Sequence, residues 1–257
     1  MDTDLLPERS VLERFRLDDK VVVVTGATSG LGVAFAQACA QAGADVVVAG
    51  RRAQRLEDTV ALIEAAGRTG LAVAADVTLE EDCQRVVEST VERFGRIDVL
   101  VNNAGIVDRI PASRLSSAEF QRVLDVNLTA GFRMAQAAVP AMRPGSSIVN
   151  VASAIAHRNL DVPATAYTAS KAGLLGLTRS LAKQWSGRRG IRVNALAPGF
   201  FPSELTDELP FEPPRESVVI GRMGDPAELA AALVFLAGDA STYMTGAELV
   251  VDGGYLL

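Results

Sequence analysis

The stretch Lys20-Val-Val-Val-Val-Thr-Gly-Ala-Thr-Ser-Gly-Leu-Gly32 decides the fold. Four consecutive valines are β-branched and apolar throughout, the pattern of a strand buried on both faces. A glycine-rich turn follows, and an Ala-rich helical pattern from Leu31 to Ala42 comes directly after it. Gly26 permits the tight turn. Gly30 and Gly32 let backbone approach a pyrophosphate and let helix pack on strand. The helix N-terminus offers oriented N–H donors to an anion. Three glycines alone are a weak signal; their place between strand and helix makes it a stronger one.

Outward from this stretch, short apolar runs alternate with helical patterns, the sequence form of a parallel sheet covered on both faces. Strands are expected at 20–25, 45–49, 71–75, 98–101, 147–151, 191–195 and 248–251. Helices are expected at 31–42, 53–66, 79–94, 117–142 and 164–185. Asp225-Pro-Ala-Glu228 supplies an N-cap, a first-turn proline and a capping-box glutamate, so another helix opens there. Nothing interrupts the alternation, and the expectation is an N-terminal extension at 1–18 followed by one α/β domain at 19–257. The long connection at about 200–221, rich in Pro, Phe and acids, is expected to be a substrate lid.

The chain has 257 residues, 49% of them hydrophobic and 22% charged, enough to bury a sizeable core. A net charge of −6 without a basic run argues against nucleic acid. No apolar stretch reaches the roughly 18 residues of a spanning helix, so no membrane partner is expected. The acidic start, Met1 to Ser10, lacks the apolar core of a signal peptide, and the expected compartment is the cytoplasm. Cys39 and Cys83 fall in two helices and read as buried, reduced thiols. No residue set reads as a metal site.

Two further features carry chemistry. Dinucleotide sites that prefer NAD place an acid about 20 residues beyond the glycines, to hold the ribose 2′-hydroxyl. Here strand two ends Val48-Ala-Gly-Arg-Arg52, with two guanidiniums where a 2′-phosphate would sit. NADP(H) is therefore favoured, with NAD(H) possible. The second feature is Tyr167-Thr-Ala-Ser-Lys171. Residues i and i+4 share a helix face, so an ammonium stands beside a phenol and is expected to lower its pKa toward neutrality. With three tyrosines and three lysines in the chain, shuffling would give roughly 0.035 such pairs.

With these motifs together the chain resembles the short-chain dehydrogenase/reductase family, in its compact single-domain subgroup. The resemblance runs from about Asp19 to the C-terminus. Its motifs are Thr25–Gly32, Asp76-Val77, Asn102-Asn-Ala-Gly105, Asn127, Ser153, Tyr167-x-x-x-Lys171 and Pro198-Gly199. It implies a doubly wound Rossmann sheet of order 3-2-1-4-5-6-7 and interconversion of a ketone and a secondary alcohol by hydride transfer. Tyr167 would be the general acid/base and Lys171 would tune it and bond the nicotinamide ribose. Ser153 would hold the substrate oxygen, and Asn127 a water that relays protons. Gly26, Ser29, Gly30, Leu31 and Gly32 would cradle the phosphates, and Arg51 and Arg52 the 2′-phosphate. Asp76 and Val77 would meet the adenine, and Asn103, Ala104 and Gly105 would pass under its ribose. Pro198, Gly199, Phe201 and Ser203 would flank the nicotinamide. Two departures stand out: Ser203 replaces the family's usual threonine, and Ser153 lies 14 residues before Tyr167, one more than usual. Family members of the NADP type often carry a base where Ser29 stands.

Substrate clues are confined to the lid and its surroundings. Phe200, Phe201, Leu205, Leu209 and Phe211 offer an apolar inner face for a cyclic or aliphatic ketone. Glu204, Asp207, Glu208, Glu212 and Glu216 against Arg215 leave the segment at −4, which discourages a strongly anionic carrier. Arg109 and Arg158 are expected to border the pocket and keep a sugar acid in play, as in some members of the family. A 3-oxoacyl thioester reductase, an enoyl reductase and a catalytically silent dinucleotide-binding regulator are the remaining alternatives. Enoyl reductases of the family space tyrosine and lysine further apart. By the same resemblance a homotetramer is expected, built through the helices at 117–142 and 164–185.

Overall fold

The computed structural model describes residues 10–159, 162–207 and 217–257. Leu209, Phe211, Arg215 and the acids Glu208, Glu212 and Glu216 lie outside the described residues, as does most of the acidic start. Seven strands form one sheet in the order β3-β2-β1-β4-β5-β6-β7, and every pairing is parallel. They are β1 (Val21–Thr25), β2 (Asp45–Gly50), β3 (Gly70–Ala74), β4 (Ile97–Asn102), β5 (Met142–Val151), β6 (Arg192–Pro198) and β7 (Glu248–Val251). This is the expected doubly wound order.

Period-two alternation sorts the valines of β1 into two cores. Val22 and Val24 pack with Phe35 and Cys39 of α1 (Gly30–Gln41), Leu56 of α2 (Ala53–Ala65) and Leu233 of the helix at 226–237. Val21 and Val23 face the other way, toward Val86 of α3 (Glu80–Phe94), and toward Met134 and Leu181 further along. Cys39 and Cys83 are buried free thiols in different cores, and burial pushes their pKa values up to about 12 and about 11.

The helix expected at 117–142 is not continuous. It runs as α4 (Ser117–Leu124), a π-helical turn (Asp125–Thr129) and α5 (Ala130–Ala138), and then tightens into a 3-10 turn at Val139–Ala141. Pro140 lies in that turn, where a missing N–H is tolerated. β5 starts at Met142 rather than 147, and its register with β4 shifts between Ile97 and Val99. The helix carrying the tyrosine–lysine pair, α6 (Thr165–Arg189), runs one turn longer than expected and stops at Gly190, whose φ is 67°. The short α7 (Glu204–Asp207) follows β6. α8 (Pro226–Ala237) opens on the expected capping box, with Asp225 and Glu228 each bonding the other's backbone region.

β1 has β2 on one side and β4 on the other, so successive crossovers leave it in opposite directions. At such a switch point the carboxyl ends of the strands leave a crevice. The crevice here is a cleft of about 660 Å³.

Candidate active site

One wall of the cleft is the turn after β1. Gly26 has φ 68°, and a Cβ there would lie 2.7 Å from Ala104 Cα. A Cβ on Gly32 would lie 2.4 Å from the Gly26 carbonyl oxygen. The turn therefore closes only without side chains, and it ends at the N-terminus of α1. Asn103 staples it from β4. Its Nδ2 donates to the Thr25 carbonyl at 2.9 Å, while Asn103 and Ala104 N–H donate to Thr25 Oγ1 at 3.1 and 3.2 Å. Ser29, Gly30, Leu31, Asp76, Val77 and Gly105 line the same cleft. Asp76 is held by Thr78, whose N–H and hydroxyl donate to its carboxylate at 3.0 and 2.7 Å. A backbone cradle at a helix N-terminus fits the pyrophosphate of a dinucleotide.

The end of β2 differs from expectation. Arg51 is exposed on the cleft. Arg52 instead folds back, donating to Thr28 Oγ1 at 2.7 Å, Ser29 Oγ at 2.9 Å and both carboxylate oxygens of Glu204 at 3.0 Å. Arg55, in the first turn of α2, pairs with the same carboxylate. Glu204 is thus not a free acid on the rim. Hydrogen bonds from Arg52, then Ser29, hold its pKa down at about 2. A Cβ at Gly50 would lie 2.7 Å from the Thr28 methyl, so any side chain there would require Thr28 to shift.

The second wall comes from the ends of β4, β5 and β6 and from α6. Ser153 follows β5 and caps a 3-10 turn (Ala154–Ala156) with its hydroxyl. Tyr167 lies in the first turn of α6, partly exposed on the cleft, with the Ser153 hydroxyl close enough to its phenol to draw the pKa of that group down. Lys171 is buried, 5.6 Å from the tyrosine ring centre, and its Nζ donates to the Val151 carbonyl at 2.7 Å. Burial pushes the phenol up, opposed only by the neighbouring Ser153 hydroxyl, and pushes the lysine down to about 8. The expected lowering of the phenol by the ammonium is therefore not the dominant effect. Removing both groups from water outweighs their mutual attraction.

Asn127 sits on the π-helical turn, and its amide is committed to protein. Its Oδ1 accepts from Ile106 N–H at 2.8 Å; its Nδ2 donates to the Ile106 carbonyl and to Ser170 Oγ, both at 2.9 Å. Ser170 Oγ in turn donates to the Tyr167 carbonyl at 2.7 Å. Gly105 lies at this junction, where a Cβ would come 3.6 Å from Lys171 Nζ.

Sequence reasoning missed Asp108. It is buried, and its carboxylate accepts from Tyr167 N–H at 2.8 Å and Ala166 N–H at 3.3 Å, so it caps α6 from another loop. Its signal was weak: an acid a few residues past Gly105, with no local helix to cap.

Pro198, Gly199, Phe201 and Ser203 line the cleft from β6 onward. Phe200 and Phe201 line it while buried. Phe200 stacks edge-on against Tyr255 at 5.1 Å. Ser203 N–H donates to Thr206 Oγ1 at 2.8 Å. Arg109 borders the cleft as expected, and its guanidinium donates to the Leu205 carbonyl. Arg158 does not border it; the guanidinium lies 4.9 Å over the Tyr255 ring and donates to that residue's carbonyl. His157 pairs with Glu248 at 2.8 Å. Among the described residues no group of His, Cys, Asp and Glu could hold a metal ion, and no helix is long and apolar enough to cross a membrane.

A family model described as enoyl-(acyl carrier protein) reductase matches residues 26–256. 2-Dehydro-3-deoxy-D-gluconate 5-dehydrogenase of Escherichia coli (strain K12) is 37% identical over 255 residues, covering 96% of this chain and 99% of that protein. 3-Oxoacyl-(acyl-carrier-protein) reductase of Thermotoga maritima is 40% identical, covering 94% and 100%. A short-chain dehydrogenase from Burkholderia cenocepacia J2315, solved in complex with NADP, superposes with a TM-score of 0.90 at 35% identity, covering 94% and 100%. A glycine cradle and a tyrosine–serine–lysine cluster in one cleft, carried by relatives matched end to end, place this chain in the short-chain dehydrogenase/reductase family of NAD(P)-dependent oxidoreductases acting on CH–OH groups.

Proposed function

We propose that the enzyme interconverts a ketone and a secondary alcohol, with NADP(H) preferred over NAD(H). The observation that carries this reading is Tyr167 on the cleft, beside Ser153 and next to Lys171, in the same cleft as the glycine cradle. The nicotinamide supplies or accepts the hydride. Gly26, Ser29, Gly30, Leu31 and Gly32 would hold the pyrophosphate, and Asp76 and Val77 the adenine. Asn103, Ala104 and Gly105 would line the adenosine side; Pro198, Gly199, Phe201 and Ser203 the nicotinamide side. In reduction, Tyr167 Oη gives its proton to the oxygen that becomes the alcohol; in oxidation it takes that proton back. Ser153 Oγ donates to the same oxygen and fixes its position. Lys171 keeps a positive charge near the phenol at neutral pH. Asn127 acts through Ser170 on the backbone of Tyr167, a positioning role that its committed amide supports better than a water-holding one.

The NADP(H) preference rests on Arg51 and Arg52 at the end of β2, on Arg55 in α2, and on the lack of an Asp or Glu in the segment Val48–Arg52 itself. A sugar acid or polyol is the second substrate reading, supported by Arg109 on the cleft and by the name of the Escherichia coli relative. The connection at 200–221 would serve as the lid, and four copies would assemble through α4, α5 and α6. Light scattering should then report a tetramer; a monomer would reject that assembly.

The test of the reaction is Tyr167→Phe, assayed by NADPH fluorescence against ketones, sugar acids and acyl thioesters. Turnover should fall at least a hundredfold with NADPH affinity nearly unchanged. Activity within tenfold of wild type would remove Tyr167 from its role. Cofactor binding without oxidation of NADPH in the presence of any of these compounds would favour a silent binding protein.

A further inference from the structure

We propose that Glu204 is a built-in substitute for the 2′-phosphate, and that it sets the NADP(H)/NAD(H) preference by competing for Ser29, Arg52 and Arg55. The proposal rests on the reading of the cleft given above. Glu204 comes from α7, more than 140 residues away in sequence from the two arginines. Its carboxylate nonetheless takes the Ser29 hydroxyl at 2.8 Å, two nitrogens of Arg52 at 3.0 Å each, and one nitrogen of Arg55. These are donors of the kind that a phosphate monoester uses: a guanidinium fork, a second guanidinium and a hydroxyl. The carboxyl is ionised at every pH near neutrality, so the mimic is always charged.

The site is shared rather than dedicated. Two anions cannot use the same fork, and a phosphate arriving beside the carboxylate would be repelled by it. Glu204 must therefore leave before a 2′-phosphate is bound. Its side chain is 48% exposed, so it can swing into water without a large desolvation change. The next residue ties the segment to the opposite rim, where Arg109 donates to the Leu205 carbonyl. The start of α7 is thus held twice, by charge at Glu204 and by its backbone acceptor at Leu205. A ligand with a bare 2′-hydroxyl leaves the Glu204 contacts in place. A 2′-phosphorylated ligand meets an affinity reduced by the fraction of time the carboxylate is away.

The test is binding, not turnover: calorimetric titration of wild type, Glu204→Gln and Glu204→Ala with 2′,5′-ADP and with 5′-ADP. Both variants should bind 2′,5′-ADP at least tenfold more tightly, corresponding to a carboxylate displaced about one-tenth of the time in wild type. Their affinity for 5′-ADP should stay within twofold. An unchanged affinity for 2′,5′-ADP in both variants would overturn the proposal. So would an equal gain for both ligands, which would make Glu204 a barrier to entry without selectivity. Failure of wild type to bind either nucleotide would instead defeat the reading of the cleft itself.

Discussion

Tyr167 and Lys171 are each pushed by burial toward the neutral form, the phenol upward and the amine down to about 8. The lysine makes this a statement about stability. An unfolded lysine titrates near 10.4, so between about pH 8 and 10.4 the unfolded chain binds the extra proton. Stability from this residue therefore rises with pH across that window, and the full cost of burying the charge is present below pH 8. Lys171→Met should remove the effect. Its stability gain over wild type should be largest near pH 7 and shrink by roughly 3 kcal/mol at most by pH 10.5. The lost Nζ bond to the Val151 carbonyl offsets about 1 kcal/mol of that gain at every pH. Urea unfolding at pH 7 and pH 10 checks this; a pH-independent difference would show that the amine is not held against its charge. The same variant should be nearly inactive, since it removes the cation beside the phenol.

At the scale of elements, the site depends on how α6 begins. The N-cap position, Ala164, has no side chain to bond the first N–H groups. Asp108 does that from the loop after β4 and fixes Tyr167 by its own N–H. From the opposite side, the Asn127–Ser170 pair holds the Tyr167 carbonyl. The first turn of α6 is thus clamped at both backbone atoms of its functional residue. Asp108→Ala should cost about 1–2 kcal/mol in urea unfolding, as for a lost helix cap. It should lower kcat more than it raises KM, because the phenol rather than the substrate surface is displaced. Asp108→Asn keeps one acceptor oxygen and should recover most of both. Equal losses from Asn and Ala would indicate that charge, not acceptance, is what matters there. The π-helical turn has a similar logic: one extra residue per turn aims Asn127 at the Ile106 backbone.

Across the whole molecule, one sheet separates two large cores, and the valines of β1 alternate between them. Val23 and Val24 are both fully buried, on opposite faces. Val23→Ala and Val24→Ala should each cost about 2 kcal/mol. An antiparallel, half-solvated sheet would show a large cost at one and almost none at the other. Denaturant melts of the two variants decide between these. Packing on both faces is also what makes the cleft rigid: the cradle, Ser153 and the nicotinamide wall all hang on strand ends that cannot shift separately.

The sequence by itself determined the buried first strand, the cradle and the tyrosine–lysine face, because each is written in local spacing: four valines, three glycines, a four-residue helical step. It also carried the α8 capping box, which needs only three neighbouring residues. What it could not determine were pairings between distant segments. The engagement of Glu204 with Ser29, Arg52 and Arg55, the capping of α6 by Asp108, and the turning of Arg158 onto Tyr255 all join residues 58 or more positions apart. The direction of the phenol's pKa belongs with them, since i+4 spacing brings a charge close but only the packed structure removes the water around it. Local geometry follows from covalent spacing; electrostatics follows from burial, and burial exists only once the chain has folded.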